Sequence, residues 1–202
     1  MKKIEGKNGL HLYAQKGGVT MKPNISSISR NVVFKGRIAD IVHKVISVNE
    51  GGLEYEIVQR SPIVVIVPIV DSGEFIIIKQ YRAAIDREIW EFPAGTIEDK
   101  ECILDAARRE LKEETGYYAL KVEFVGFFYA APHFSDEKTF ICLATKLSQG
   151  ETNLQEKEHI STELFTESEL FTKYHNKEIL DSRTLIAYHV LKYDLHDILT
   201  KL

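Results

Sequence analysis

Between Gly95 and Tyr117 the chain reads GTIEDKECILDAARRELKEETGY, and this stretch decides the fold. From residue 102 to residue 115 its apolar residues recur at helical spacing. They form a single stripe that consists of Ile103, Leu104, Ala107 and Leu111. Gly116 follows as a stop signal, because glycine readily adopts the left-handed conformation that ends many helices. The pattern therefore predicts an amphipathic helix over residues 102–115.

Three carboxylates share one edge of this helix. Glu110, Glu113 and Glu114 stand at positions i, i+3 and i+4, so their side chains project in similar directions. Their mutual repulsion destabilises the helix by about 0.2–0.5 kcal/mol per exposed pair, and a divalent cation would offset this repulsion. Oxygen ligands of this kind suit Mg²⁺, which keeps open positions for phosphate oxygens. Acidic helix faces are usually only solvated, so the glutamates alone leave both interpretations open.

The spacing of the whole segment resembles the Nudix box, G-x5-E-x7-R-E-U-x-E-E-x-G-U, in which U is apolar or aromatic. Every fixed position of that pattern is present between Gly95 and Tyr117. The resemblance implies an α/β fold with a mixed sheet, which can also be classed as α+β. Helices cover both faces of this sheet, so the fold is an α/β/α sandwich. It also implies a hydrolase that uses Mg²⁺, or Mn²⁺, to cut the pyrophosphate of a nucleoside diphosphate linked to another group.

Residue roles follow from the same resemblance. It implies a metal site in which Glu110 and Glu114 are the principal ligands. Glu113 is an additional ligand, and the carbonyl of Ala94 is a further contact. Arg109 is expected to pair with Glu101 and brace the helix. Gly95 and Gly116 are expected where close backbone approach or a positive φ excludes other residues.

Three further stretches resemble the ADP-ribose pyrophosphatase subfamily: QYR at 80–82, WEFPAG at 90–95 and APHFSDE at 131–137. Pro132, sixteen residues after Gly116, is a marker of that subfamily. The resemblance implies hydrolysis of ADP-ribose to AMP and ribose 5-phosphate. His133 stands where the subfamily usually has glycine, which keeps GDP-mannose or another nucleotide sugar open as substrate. A Nudix-like module that senses ADP-ribose without cutting it is the third alternative.

Substrate contacts are expected at three positions. Arg82 matches a position that binds phosphates, for which its fork of donors is suited. Glu137 matches a position near the terminal ribose, although a loop carboxylate can equally be solvated. Arg60 is a candidate for reaching the substrate across a dimer interface, or else a surface arginine. Trp90 is expected in the core.

The general base is expected on a loop that follows the last main strand, as in relatives. Glu158 matches that position best. Glu156 is the second candidate and Glu151 the third, because all of them lie in this loop.

The chain divides into three predicted parts. Residues 1–30 form an N-terminal extension or a poorly ordered arm, and residues 31–61 form a small antiparallel sheet that by resemblance supports a homodimer. Residues 62–202 form the hydrolase domain. Its strands are predicted at 63–70, 74–79, 122–130 and 139–146, a loop at 148–157, and later helices near 167–174 and 182–195.

Composition limits the other function classes. The 202 residues carry 26 Lys and Arg against 30 Asp and Glu, a net charge of −4 that gives no broad basic field for a nucleic-acid polymer. The first twenty residues lack the apolar run of a signal peptide or membrane span. Cys102 and Cys142 show no CxxC spacing, so a reducing, cytoplasmic setting is expected. The expected partner is a small nucleoside diphosphate, with no membrane.

Overall fold

The computed structural model describes residues 4–5, 11–12, 25–48, 51–150 and 160–199. The strands found in these ranges are β1 (Ile4–Glu5), β2 (His11–Leu12), β3 (Ile25–Lys35), β4 (Asp40–Val48), β5 (Gly51–Gln59), β6 (Ile63–Pro68), β7 (Phe75–Arg82), β8 (Arg87–Glu91), β9 (Ala94–Thr96), β10 (Tyr117–Tyr129), β11 (Lys138–Gln149) and β12 (Ile160–Phe165). The helices are α1 (Ile103–Thr115), α2 (Glu167–His175) and α3 (Ser182–Leu199).

Two sheets form the centre of the molecule. One has the strand order β10-β11-β6-β9, in which β6 and β11 are parallel and the other pairs antiparallel. The second has the order β12-β7-β8. Every residue of β6 is buried, which explains why its sequence is a run of Ile and Val that ends in Pro68 rather than an alternating pattern. The predicted mixed sheet is confirmed.

Helices cover the sheets on both sides. Val64 and Ile66 pack with Ala106 and Leu111 of α1, whereas their neighbour Val65 faces the opposite core. That second core contains side chains from both later helices, namely Leu170, Ala187 and Leu191. Because successive strand residues point to opposite faces, one strand supplies both cores. The α/β/α sandwich is therefore confirmed.

Helix α1 ends as predicted, since Gly116 has a φ of 74° and its N–H bonds to the Lys112 carbonyl. The strand predictions were less complete. β10 begins before its predicted start at residue 122, β11 extends beyond both of its predicted ends, and β8, β9 and β12 were not predicted. β9 has only three residues, and β12 alternates weakly because most of its side chains are exposed. In the described part of the chain, none of the helices has the length and apolarity that a bilayer crossing requires.

The N-terminal sheet has the order β3-β4-β5 and begins at Ile25. The predicted boundary at residue 31 was wrong, because β3 is exposed on both faces and its serines hide the strand pattern. The sheet is joined to the hydrolase domain at Val58, whose N–H bonds to the Phe134 carbonyl at 2.8 Å. The Val58 carbonyl accepts from the Asp136 N–H at 3.2 Å. The sheet therefore reaches the loop that carries Pro132.

Candidate functional site

The acidic edge of α1 faces the loop that carries β9. Glu114 is buried, and its Oε2 accepts a hydrogen bond from the Ala94 N–H at 2.9 Å. Burial raises the pKa of the Glu114 carboxyl from 4.5 to about 8. Glu110 is half-buried against Gly95, and a Cβ on that glycine would overlap the Glu110 carboxylate. Gly95 is thus required for close approach, as the sequence indicated.

Arg109 holds the acidic edge in place. Its Nε and one terminal nitrogen donate to the two oxygens of Glu101, each at 2.9 Å. The other terminal nitrogen donates to Glu110 at 2.7 Å and to Glu113 at 3.2 Å. Hydrogen bonding to Glu101 raises the pKa of Arg109 and lowers the pKa of Glu101. Arg109 therefore contacts both Glu101, as expected, and two of the candidate ligands.

These residues fit a hard divalent cation. Two carboxylates converge on Ala94 and Gly95 of β9, where the buried Glu114 has a peptide N–H as its hydrogen-bond partner. A cation would supply the missing positive charge, and carboxylate and carbonyl oxygens are its preferred ligands. Glu113 is more exposed than Glu110 and Glu114. Among the described residues, no group of three potential ligands is arranged around one metal position, and the positive charge in contact with Glu110 and Glu113 is that of Arg109.

A second charged cluster lies on the sheet, next to the acidic edge. Arg82 places a terminal nitrogen 2.6 Å from Oε1 of Glu91, which is only 1% exposed. Arg183 approaches the other oxygen of Glu91 at 3.6 Å and also pairs with Asp181. The positive charge of Arg82 acts on Glu114, where it opposes the rise in pKa. The sheet therefore places the predicted phosphate contact beside the acidic edge.

Sequence reasoning did not assign roles to Glu91 or Arg183. Glu91 lies within the WEFPAG stretch, and a glutamate between Trp90 and Phe92 in a buried segment is a signal that could have identified it. Arg183 carries no local signal, because its contacts depend on how α3 packs against β8.

The predicted substrate residues Arg60 and Glu137 contact each other. The Arg60 guanidinium lies 2.5 Å from Glu137, and the Arg60 N–H donates to Asp136 at 2.9 Å. Glu137 is buried rather than solvated, and its charge acts on Arg183 of the neighbouring cluster. Both residues thus belong to one chain of charges that continues to Glu91.

The remaining predicted residues lie elsewhere. Trp90 is in the core, as expected. His133 is exposed, packs edge-on against Phe134, and lines an open cavity of about 590 Å³ together with Tyr55, Tyr129 and Lys44. The candidate bases Glu151, Glu156 and Glu158 lie outside the described residues.

Comparison with known proteins agrees with this geometry. The family model described as NUDIX domain matches residues 59–186. An ADP-ribose pyrophosphatase of Bacillus subtilis (strain 168) is 31% identical over 169 residues, which cover 82% of this chain and 91% of the relative. A methanol dehydrogenase activator of Bacillus methanolicus is 32% identical, with the same coverage of both chains. A crystal structure of an ADP compounds hydrolase aligns with a TM-score of 0.75 and 25% identity, covering 87% of this chain and 95% of that one.

Proposed function

Since this chain belongs to the Nudix family, we propose that it is a Mg²⁺-dependent pyrophosphatase that hydrolyses ADP-ribose to AMP and ribose 5-phosphate. The observation that carries the proposal is the juxtaposition of two unlike charge clusters. A pair of carboxylates, the half-buried Glu110 and the buried Glu114, lies beside Arg82, whose side chain is partly exposed. A divalent cation and a pyrophosphate together have the charges that match this pair of clusters.

Each residue of the acidic edge has a distinct part in the proposal. Glu110, Glu114 and the Ala94 carbonyl would hold the metal, with Glu113 as an additional ligand after it leaves Arg109. When bound, the metal neutralises charge on the phosphoryl oxygens and lowers the pKa of water. Mn²⁺ can substitute, because it prefers the same oxygen ligands. Arg109 keeps Glu101 and the loop before α1 in place.

The remaining residues would bind the substrate and accept a proton. Arg82 would donate to phosphate oxygens, and Glu137 would accept hydrogen bonds from the terminal ribose while Arg60 orients it. By family resemblance Glu158 is proposed as the general base, with Glu156 and Glu151 as the next candidates. Glutamine at each of the three positions tests this, because only the base variant should lose kcat with an unchanged KM.

The similarity to an ADP-ribose pyrophosphatase supports ADP-ribose as the substrate, and an assay with a panel of substrates tests this choice. Purified protein with Mg²⁺ is incubated with ADP-ribose, GDP-mannose, NADH and diadenosine polyphosphates, and nucleotide products are resolved by chromatography. AMP from ADP-ribose, lost in Glu114→Gln, is the expected result. GMP from GDP-mannose would instead identify a nucleotide-sugar pyrophosphatase. Binding of ADP-ribose without any product would identify a sensing module.

We also propose that the protein is a homodimer formed through the N-terminal sheet. Strand β3 carries four large apolar side chains that are each more than half exposed: Ile28, Val32, Val33 and Phe34. Apolar patches of this kind are typical of interfaces. Light scattering after size exclusion should give twice the chain mass for the wild type and a monomer for Phe34→Glu. Phe171→Glu, at a similarly exposed phenylalanine of α2, is the control.

The cellular setting proposed is the reducing cytoplasm. Both cysteines are free, and burial raises the pKa of the Cys142 thiol to about 12. A thiol of this kind is a poor nucleophile and suits a structural place in the core. Cell fractionation with an antibody against the chain tests the location.

A further inference from the structure

Glu91 is a buried carboxylate that contacts two arginines. It ends strand β8, is 1% exposed, and lies between Arg82 at 2.6 Å and Arg183 at 3.6 Å. Both of its oxygens are buried and, in the described part of the chain, neither meets hydrogen-bond angles with a donor. The two contacts are therefore ion pairs whose strength depends on charge rather than on ideal hydrogen-bond alignment.

A structural role alone does not explain this arrangement. Buried ion pairs often contribute little net stability, since desolvation offsets the attraction, and apolar residues of similar volume pack as well. The neighbours of Glu91 on β8, Ile89 and Trp90, are apolar core residues, whereas Glu91 is a charged residue buried among them. A carboxylate in this position points to a function for the arginine that it contacts.

Helix α3 fixes the position of Glu91. Asp181 accepts hydrogen bonds from the N–H and hydroxyl of Thr184 at 2.9 and 3.0 Å, which anchors the start of α3. The Thr184 hydroxyl in turn accepts the Phe92 N–H at 2.9 Å. Asp181 also binds Nε of Arg183 at 3.0 Å. The residue after Glu91 and the second arginine are thus attached to the same helix end.

Arg82 needs an anion to hold it in this place. Arg87 lies opposite Arg82 in the β7–β8 ladder, so a like charge is adjacent. Glu88, the next acidic residue on β8, pairs with Lys79 at 3.0 Å. Because Glu88 pairs with Lys79, Glu91 is the carboxylate of β8 that contacts Arg82. Since about a third of the Arg82 side chain is exposed, its guanidinium can bind Glu91 and still present donors to the solvent side.

We propose that Glu91 is a positioning residue for pyrophosphate hydrolysis: it holds the Arg82 guanidinium beside Glu114, in the orientation that presents its free donors to the substrate phosphates. Arg183 and Asp181 keep Glu91 in position from the side of α3. This inference rests on the proposed function, because Arg82 acts on the substrate only if the chain hydrolyses a nucleoside diphosphate compound.

Steady-state kinetics on ADP-ribose with saturating Mg²⁺ test the proposal through a double-mutant cycle. Glu91→Gln keeps the volume and removes the charge, and it should lower kcat/KM by about 10- to 100-fold, as loss of residues that orient a ligand does. Arg82→Ala should lower it at least as much. The double variant should be no slower than Arg82→Ala, because Glu91 acts only through Arg82.

Controls separate this role from a structural one. Glu88→Gln, on the same strand, should keep wild-type kcat/KM. Folded Glu91→Gln with wild-type kcat/KM, or losses that multiply in the double variant, would overturn the proposal. If Glu91→Gln does not fold, Glu91→Asp takes its place in the cycle with the same two criteria, since it keeps the charge and shortens the arm. If the wild type does not cut ADP-ribose, both the proposed function and this inference are overturned. If the wild type cuts ADP-ribose and Glu91→Gln is equally active, only this inference is overturned.

Discussion

The two halves of the site differ in charge balance. The helix half has four carboxylates, Glu101, Glu110, Glu113 and Glu114, in contact with or next to a single arginine, Arg109. The sheet half has three arginines and three carboxylates, each of which forms an ion pair within this set: Arg60, Arg82, Arg183, Glu91, Glu137 and Asp181. The helix half therefore needs a cation from outside, whereas the sheet half is balanced by itself. Under the proposed function, the helix half binds the cation, and the ion pairs of the sheet half hold its substrate-binding side chains in position.

The largest expected effect follows from removing the central charge of the helix half. Glu114→Gln keeps the shape but not the metal ligand. Loss of several kcal/mol of transition-state stabilisation, about 4 kcal/mol, corresponds to a fall in kcat of about 10³-fold. Thermal unfolding without metal should show equal or higher stability at pH 8, because the variant buries no charge. A variant that retains near wild-type kcat would remove Glu114 from the metal site.

The pH dependence of stability should reveal the same imbalance. Burial raises the pKa of Glu114 from 4.5 to about 8, so the folded metal-free protein binds a proton that the unfolded chain releases above pH 4.5. This contribution is complete below pH 4.5 and is lost as the pH rises to about 8, by at most about 1.4 kcal/mol per pH unit.

Thermal unfolding in EDTA between pH 5 and 8 measures this loss. Tm should fall across the range for the wild type and much less for Glu114→Gln. Adding Mg²⁺ should raise Tm more at pH 8 than at pH 6, because the ion binds the ionised carboxylate. A wild-type profile that matches the variant would show that Glu114 titrates normally.

How far the sequence predicts the site also differs between the halves. The helix half lies within residues 94–114, where spacing along one helix predicts that Glu110, Glu113 and Glu114 share an edge. The Arg109–Glu101 pair was predicted from the family resemblance and is present in the structure. The sheet half joins five separate elements, and the contact of Arg183 with Glu91 depends on packing that no local pattern encodes. The N-terminal boundary was misplaced for a related reason, since an exposed strand such as β3 buries neither face.

A smaller effect is expected from the arginine of the helix half. Arg109→Ala removes four contacts with carboxylates and should lower the free energy of unfolding by about 2 kcal/mol, as expected for hydrogen bonds to charged groups in a partly exposed site. Urea denaturation measures it. The neighbouring Arg108→Ala is the control, because Arg108 is exposed and, within the described ranges, its hydrogen bonds go to Asp105 and a helix carbonyl. Equal losses in both variants would mean that the contacts of Arg109 with the carboxylates do not stabilise the loop before α1.

The smallest effect concerns the edge of the sheet half, where Arg60 meets Glu137. The Arg60 side chain is 33% exposed and that of Glu137 is 10% exposed, so solvent screens the pair only in part. A double-mutant cycle with Arg60→Gln and Glu137→Gln should give a coupling of about 1 kcal/mol in urea denaturation. The exposed pair Lys121–Glu123 is the matched reference, with an expected coupling of about 0.3 kcal/mol. If the two couplings were equal, the Arg60–Glu137 pair would contribute no more than an exposed ion pair, and the stabilising sheet half would not extend to Arg60.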